Sequence, residues 1–401
     1  PMPHTHIPDA GPFRADLQPG TGRRLPADAR ETGDAVSSLA RRNLWAQPRG
    51  DVRHVSSPSG ADDIAGAGAG GGRVPSGGGR ADGSPVRQAR GRGDSDRPDF
   101  RVEVGPDGYA WWYVDGVSAC GTRAISIIGF IGSVFSPWYA WSGRRDPQNH
   151  CCLNVVTYGP GGRFTMTDRG RPALRQSRDA LEIGPSAMRW TGRELVIEVD
   201  EISSFPLVSR VKGTITLTPQ AITDQEVALH PRHIWRPFAP MAQITVNLTQ
   251  GHSWQGHGYF DANFGTAALE ADFDRWTWGR FPLQDRAMCF YDATRRDGTT
   301  LALGVEVGPD GALREVTPPP LTRFSRTRWQ VARDTRADAG TRPRQVMAML
   351  DAPFYSRSVV ETTIDGEVSH GVHEALDLRR FRNPLLKFML ATRVPRRRNW
   401  P

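Results

Sequence analysis

One stretch holds an unusual density of groups able to do chemistry: His252-Ser253-Trp254-Gln255-Gly256-His257-Gly258-Tyr259-Phe260-Asp261-Ala262-Asn263-Phe264-Gly265. Asp272, Trp276 and Trp278 follow it, and His233-Ile234-Trp235 precedes it. Alternate residues of an extended strand share a face, so His257, Tyr259 and Asp261 are expected together, as are His233 and Trp235. A carboxyl among aromatic rings loses the solvation of its charged form and stays protonated near neutral pH. The faces of neighbouring Trp and Tyr rings stabilise a cation. That combination suits the protonation of an alkene: a proton adds to a carbon–carbon double bond, and the carbocation survives until water captures it. On this reading Asp261 is the acid, His257 or His233 the base for the water, and Trp254, His257, Phe264, Trp276 and Trp278 wall a ligand cavity. The same residues also suit an ordinary interior. Asp261 can pin a turn ahead of Asn263 and Gly265, and tryptophans fill cores.

The elements that must position these groups are short strands. Gly105-Pro106-Asp107-Gly108, Asp115-Gly116, Gly159-Pro160-Gly161-Gly162, Asp297-Gly298 and Asp365-Gly366 are hairpin-type turns. Between them lie β-rich runs such as Tyr109–Val114, Leu195–Val199, Gly213–Thr218, Leu301–Val307 and Val359–Ile364. This is the pattern of a mainly β protein of barrel or sandwich type. The prolines Pro231, Pro237 and Pro240 suggest a seam, giving an N-terminal β domain over 99–238 and a C-terminal one over 239–401. A second aromatic stretch, Gly129–Trp141, carries glycines that allow close approach; Trp138 and Trp141 suit an apolar entrance or core packing. Leu376–Leu390, with Arg393, Arg396, Arg397 and Arg398 beyond it, has the composition of a membrane-surface segment, interrupted at Pro384. An apolar cover on the β core with solvated arginines fits it as well.

Composition separates residues 1–98 from the rest. That segment holds only Phe13 and Trp45 of the 35 aromatic residues, and 28 Gly and Pro. It cannot bury enough apolar surface to offset its ordering entropy, so it is expected to be disordered or weakly ordered, with at most a short helix near Ala35–Leu44. The net charge of +8 comes from arginine, Lys212 and Lys387 being the only lysines. The tail mixes 14 Arg with 11 acids, which reads as a solvated coil rather than a nucleic-acid tract. Cys120, Cys151, Cys152 and Cys289 form neither a disulfide framework nor a zinc motif, and His150-Cys151-Cys152 cannot converge on a strand. No metal or other cofactor is expected. A reduced, cytoplasmic-side protein without a secretory signal is the expectation. Asn247-Leu248-Thr249 fits a glycosylation acceptor, but nothing else points to secretion.

Gly129–Trp141, Arg144–Cys152, Tyr158–Arg171 (with GRFTMTDRGR), and GHGYFDANFG followed by Trp276–Pro282, resemble the acyclic carotenoid 1,2-hydratases, or hydroxyneurosporene synthases, of purple photosynthetic bacteria. The resemblance covers roughly residues 100–395. It implies two lipocalin-like β units and cofactor-independent addition of water to the terminal double bond of neurosporene, lycopene or a related acyclic carotene. It also implies Asp261 as proton donor, with Tyr259, His233 and Trp235 assisting. A substrate nearly as long as the bilayer core is thick, roughly 30 Å, implies peripheral membrane association and, with it, neighbouring carotenoid-pathway enzymes. The competing readings are a non-catalytic carotenoid or terpenoid carrier and a related barrel enzyme that cyclises alkenes.

Overall fold

The computed structural model describes residues 85–88 and 97–397. The helix expected near Ala35–Leu44, the glycine-rich runs and Arg398 lie outside the described residues. Within the segment expected to lack structure, Val86–Gln88 forms a three-residue strand on Gln225–His230, and Arg87 pairs with Glu226 at 3.0 Å. An open strand edge recruits backbone partners whatever their apolar content, which composition cannot register.

The chain folds into sheets that are antiparallel apart from one short parallel pair, Arg396–Arg397 on Asp168–Arg169. In the first, β1 (Tyr109–Ser118), β2 (Ala124–Ile131), β3 (Cys151–Tyr158), β4 (Leu195–Ile202), β5 (Arg210–Pro219), β6 (His233–Leu248) and β7 (His252–Gly265) run in the spatial order β3-β2-β1-β7-β6-β5-β4, extended by shorter strands. In the second, β8 (Phe273–Pro282), β9 (Ala287–Arg295), β10 (Thr300–Val307), β11 (Arg344–Asp351), β12 (Tyr355–Ile364) and β13 (Glu367–Asp377) run in the order β10-β9-β8-β13-β12-β11. Helices are short: α1 (Pro137–Trp141), α2 (Leu269–Asp272), α3 (Leu378–Phe381) and α4 (Pro384–Ala391). Among the described residues no ladder joins the two ends of either sheet, so the mainly β architecture is sandwich-like rather than a pair of closed barrels.

Three cores follow from strand alternation. The first sheet curls around one, where Trp112 and Val114 of β1 meet Ile197, Ile215 and Phe260. Its other face, with Trp111, Tyr113, Trp235 and Tyr259, packs on Trp276, Trp278, Tyr291 and Tyr355 of the second sheet. A smaller core, including Phe281, Phe290 and Phe324, lies on the second sheet's far side. β1 is therefore buried on both faces along its whole length, which explains its near-continuous apolar run.

The seam expected between residues 238 and 239 falls inside β6, and both β6 and β7 belong to the first sheet. The chain passes to the second sheet at residues 266–272 instead. Pro237 and Pro240 lie where the β6–β7 register shifts, between Arg236 and Ala239 and between Ala239 and Ala242. A proline lacks the N–H a ladder needs, and a bulge tolerates it without ending the strand.

Candidate active site

β7 sits in the middle of the first sheet, paired with β1 on one side and β6 on the other. Its odd-numbered residues Tyr259, Asp261 and Asn263 face the second sheet, and Phe260, Ala262 and Phe264 face the first sheet's own interior. Between the sheets is a small, partly open cavity. Trp111, Tyr113 and Phe135 wall it from one side, and Trp276, Trp278 and Tyr291 from the other. Four polar side chains reach into it: Asp261, Asn263, Arg357 and Glu374. This is an apolar site with few, fixed polar groups.

Asp261 is 4% exposed. Trp235 Nε1 donates to its Oδ2 at 2.9 Å, and the Tyr259 hydroxyl donates to the same oxygen at 2.8 Å. Asn263 Nδ2 donates to Oδ1 at 3.1 Å. Burial pushes the Asp261 pKa up to about 8, against the opposing pull of the Tyr259 and Trp235 hydrogen bonds. With Oδ2 taken by two donors, Oδ1 is the oxygen left to carry the proton. Tyr259 packs edge-on against Trp278 at 5.1 Å, and Trp235 against Tyr291 at 5.5 Å, so the groups holding the acid belong to the aromatic wall.

A second polar pole comes from the β12–β13 hairpin. Arg357 and Glu374 are cross-strand partners, and Glu374 is also the register partner of Trp278 on β8. Arg357 Nε donates to Glu374 Oε1 at 2.5 Å, and the Tyr355 hydroxyl donates to Oε2 at 2.8 Å. Arg357 Nη1 donates to Ser126 Oγ at 2.6 Å and to the Tyr158 hydroxyl at 3.1 Å, and Nη2 donates to Tyr355. Burial disfavours the guanidinium charge, yet Glu374 and the hydroxyls of Tyr355, Tyr113 and Tyr158 hold its pKa well above the ordinary arginine value.

Of the residues expected at the site, Asp261, Tyr259, Trp235, Trp276 and Trp278 come together. The others do not. His233 is buried away from the cavity, its Nδ1 on the Tyr109 hydroxyl at 2.8 Å and its Nε2 on Asp272 at 2.7 Å. Gly265 makes room for this, since a Cβ there would collide with the Tyr109 ring. Burial depresses the His233 pKa to about 4, so the ring is neutral. His257 shares the face of Asp261, but its Nδ1 meets Arg280 at 2.7 Å, and Arg280 pairs in turn with buried Asp115. Burial and that guanidinium hold the His257 pKa well below its usual value. Trp254 and Phe264 point to the opposite face, into the first sheet's interior, because even-numbered residues of β7 alternate away from Asp261. Trp138 and Trp141 lie on α1. The Trp138 indole donates to Val394 O at 2.7 Å, and Trp141 meets Phe388 of α4 at 5.2 Å.

Arg357, Glu374, Tyr355, Tyr291 and Tyr113 were not expected from the sequence. A signal for the first two was present. The two-residue turn Asp365-Gly366 pairs Ile364 with Glu367, and counting back along the hairpin sets Arg357 opposite Glu374. Among the described residues, His230, His233 and Asp272 bring three ligand atoms within 4.8 Å of one another. Arg232 already pairs with that Asp272 carboxylate and Tyr109 holds His233, so these donors are spent on one another.

A buried acid whose pKa is pushed up to about 8 faces aromatic rings across the cavity. The family profile described as Carotenoid hydratase CrtC matches residues 127–401, and the chain belongs to this family. It is 71% identical over 276 residues to the acyclic carotenoid 1,2-hydratase of Cereibacter sphaeroides, covering 68% of this chain and 99% of that one. The acyclic carotenoid 1,2-hydratase of Rhodobacter capsulatus is 62% identical over 277 residues, with 68% and 99% covered. That of Thiocapsa roseopersicina is 43% identical over 351 residues, 86% of each chain. Among solved structures, kievitone hydratase from Nectria haematococca is similar at a TM-score of 0.40 with 11% identity, over 74% of this chain and 98% of that one.

Proposed function

We propose that the protein adds water to the terminal 1,2 double bond of an acyclic carotene such as neurosporene or lycopene. The observation that carries this reading is the buried Asp261 carboxyl, its pKa pushed up to about 8, facing the aromatic cavity. Asp261 gives its proton to carbon 2 of the terminal isopropylidene group. The charge then resides on tertiary carbon 1, where alkyl groups stabilise it most. The rings of Trp276, Trp278 and Tyr291 line the cavity where that cation forms and can stabilise it. Water adds at carbon 1 and yields a tertiary alcohol. No step consumes or supplies electrons. Incubating the pure protein with lycopene in oxygen-18 water should give a labelled 1-hydroxy product, and Asp261→Asn should give none while still binding the carotene. A carrier would give no alcohol in either case, and a cyclase would give a product of unchanged mass.

The cavity between the sheets is far smaller than a 40-carbon polyene, so at most one end of the substrate enters it and the rest stays outside. We infer that the rest stays in a bilayer on which the protein sits peripherally. Among the described residues no helix is long and apolar enough to cross a membrane. α4 has no fully buried residue and leaves Leu385 and Phe388 64% and 63% exposed, beside half-exposed Trp141. Arg379, Arg382 and Arg393 are exposed on the same segment and suit an anionic lipid surface. An aromatic series leads inward from there: Phe381 meets Phe135 at 6.0 Å, and Phe135 stacks on Tyr355 at 5.5 Å at the cavity wall. Co-sedimentation with anionic vesicles should fall for Leu385→Glu/Phe388→Glu, while activity on detergent-solubilised carotene persists.

A further inference from the structure

The hydration reading leaves one step without a residue. When water adds to carbon 1 it becomes an oxonium, and something must take its proton. Neither histidine expected for this task reaches the cavity: both ring nitrogens of His233 are engaged by Tyr109 and Asp272, and His257 is held by Arg280. We propose that Glu374, held in place by Arg357 and Tyr355, is the base that receives this proton. The proposal rests on the hydratase reading and assigns its second half-reaction.

Position is the first argument. Glu374 lines the same cavity as Asp261, and on β8 its register partner is Trp278, a ring of the cavity wall. Capacity is the second. Each Glu374 oxygen accepts one hydrogen bond, from Arg357 or from Tyr355, whereas a carboxylate oxygen can accept two. A water therefore has acceptors here, in a cavity walled mostly by aromatic rings, and a buried water needs 2–4 polar partners. Asp261, by contrast, already takes three donors on its two oxygens. The third argument is cost. A buried ion pair is commonly no more stabilising than apolar residues of the same volume, so packing does not account for Arg357 and Glu374 lying between two aromatic walls.

The step balances. The Asp261 O–H bond breaks and a C–H bond forms at carbon 2. The water's lone pair then forms the C–O bond at carbon 1, its O–H bond breaks, and the proton goes to Glu374. Return of that proton to the Asp261 carboxylate through water in the cavity restores the starting state.

The test uses the full-length protein and lycopene in D₂O, with two readouts: alcohol formed, and deuterium in the recovered carotene. Removing the base while leaving the acid should let protonation occur and reverse, because the Asp261 carboxylate can take back either hydrogen from carbon 2. Glu374→Gln should thus lose about 100-fold or more in hydration while deuterium accumulates in recovered lycopene. Asp261→Asn should show neither alcohol nor deuterium. Lycopene binding, followed by quenching of tryptophan fluorescence, should persist in both. Since breaking a buried pair can unfold a protein, Glu374→Asp supplies a second test: it keeps the charge but withdraws it by one methylene, and should raise the ratio of deuterium exchange to hydration. Near-normal hydration by Glu374→Gln overturns the proposal. So does a folded Glu374→Gln that loses exchange and hydration together, or an unchanged ratio in Glu374→Asp. If the wild-type protein forms no alcohol, it is the hydratase reading that fails.

Discussion

Asp261 and Glu374 are two carboxyls lining one cavity, and their surroundings give them opposite characters. Asp261 has only neutral donors, the indole of Trp235, the phenol of Tyr259 and the amide of Asn263. None brings a full charge, so burial dominates and the proton stays on to about pH 8. Glu374 has a guanidinium at 2.5 Å and forms an ion pair. The difference lies in the partner, since both carboxyls sit among aromatic rings. It teaches that two carboxyls lining one cavity are set apart when one is given dipoles and the other a cation.

The comparison breaks first at Asp261. Asp261→Asn should lower hydration by about 10³-fold or more, since a positioned acid contributes 10²–10⁴. The same variant should be the more stable protein at alkaline pH. A carboxyl whose folded pKa is raised above its unfolded value loses stability as pH climbs from about 4 to about 8. Asparagine has no such loss, so the variant should gain up to about 5 kcal/mol over wild type at pH 9 and much less at pH 4. Urea unfolding at the two pH values checks this. A gain independent of pH would mean that Asp261 is already ionised in the folded protein.

At the other pole the expected loss is in folding. Arg357→Met leaves Glu374 buried without its cation and should cost about 3–5 kcal/mol. Arg357→Met/Glu374→Met removes both charges and should recover most of that stability, because Ser126 and Tyr158 still bond each other at 3.0 Å. Hydration should not recover with it. A double variant that regains activity along with stability would reduce this pole to packing. Smaller again, Trp278→Leu removes one ring of the cavity wall, worth about 1–2 kcal/mol to a cation in a desolvated site, and should slow hydration about 10-fold with little change in carotene binding.

These contrasts were only partly legible in the residues. The acid and its immediate holders could be found because Tyr259 and Asp261 are two apart on one strand, and period two places them together whatever the fold. Trp254 and Phe264 were drawn in by proximity in sequence, although the same alternation sends them to the other face. His233 lies two residues from Trp235, yet Tyr109 and Asp272 take up both its ring nitrogens, a contact no local pattern encodes. Glu374 was within reach of hairpin counting from Asp365-Gly366, but its meeting with Trp278 is a pairing between strands nearly a hundred residues apart. Pro237 and Pro240 read as a boundary because proline ends most ladders. Here two bulges absorb them, and strand β6 runs on to position Trp235.

The finest test of the comparison concerns the donors on Asp261. The hydroxyl of Tyr259 lowers the Asp261 pKa by favouring the carboxylate, working against burial. Tyr259→Phe removes that donor and keeps the ring that packs on Trp278. The Asp261 pKa should then rise above about 8, by somewhat under one unit for a single hydrogen bond worth about 1 kcal/mol. Hydration needs the protonated acid, so the alkaline limb of the pH–rate profile should move upward by that amount. The rate at neutral pH should fall only a few-fold, because a weaker acid transfers its proton less readily. A downward shift of the limb would show that Tyr259 holds the neutral acid rather than the carboxylate, and would make the phenol a proton relay in its own right.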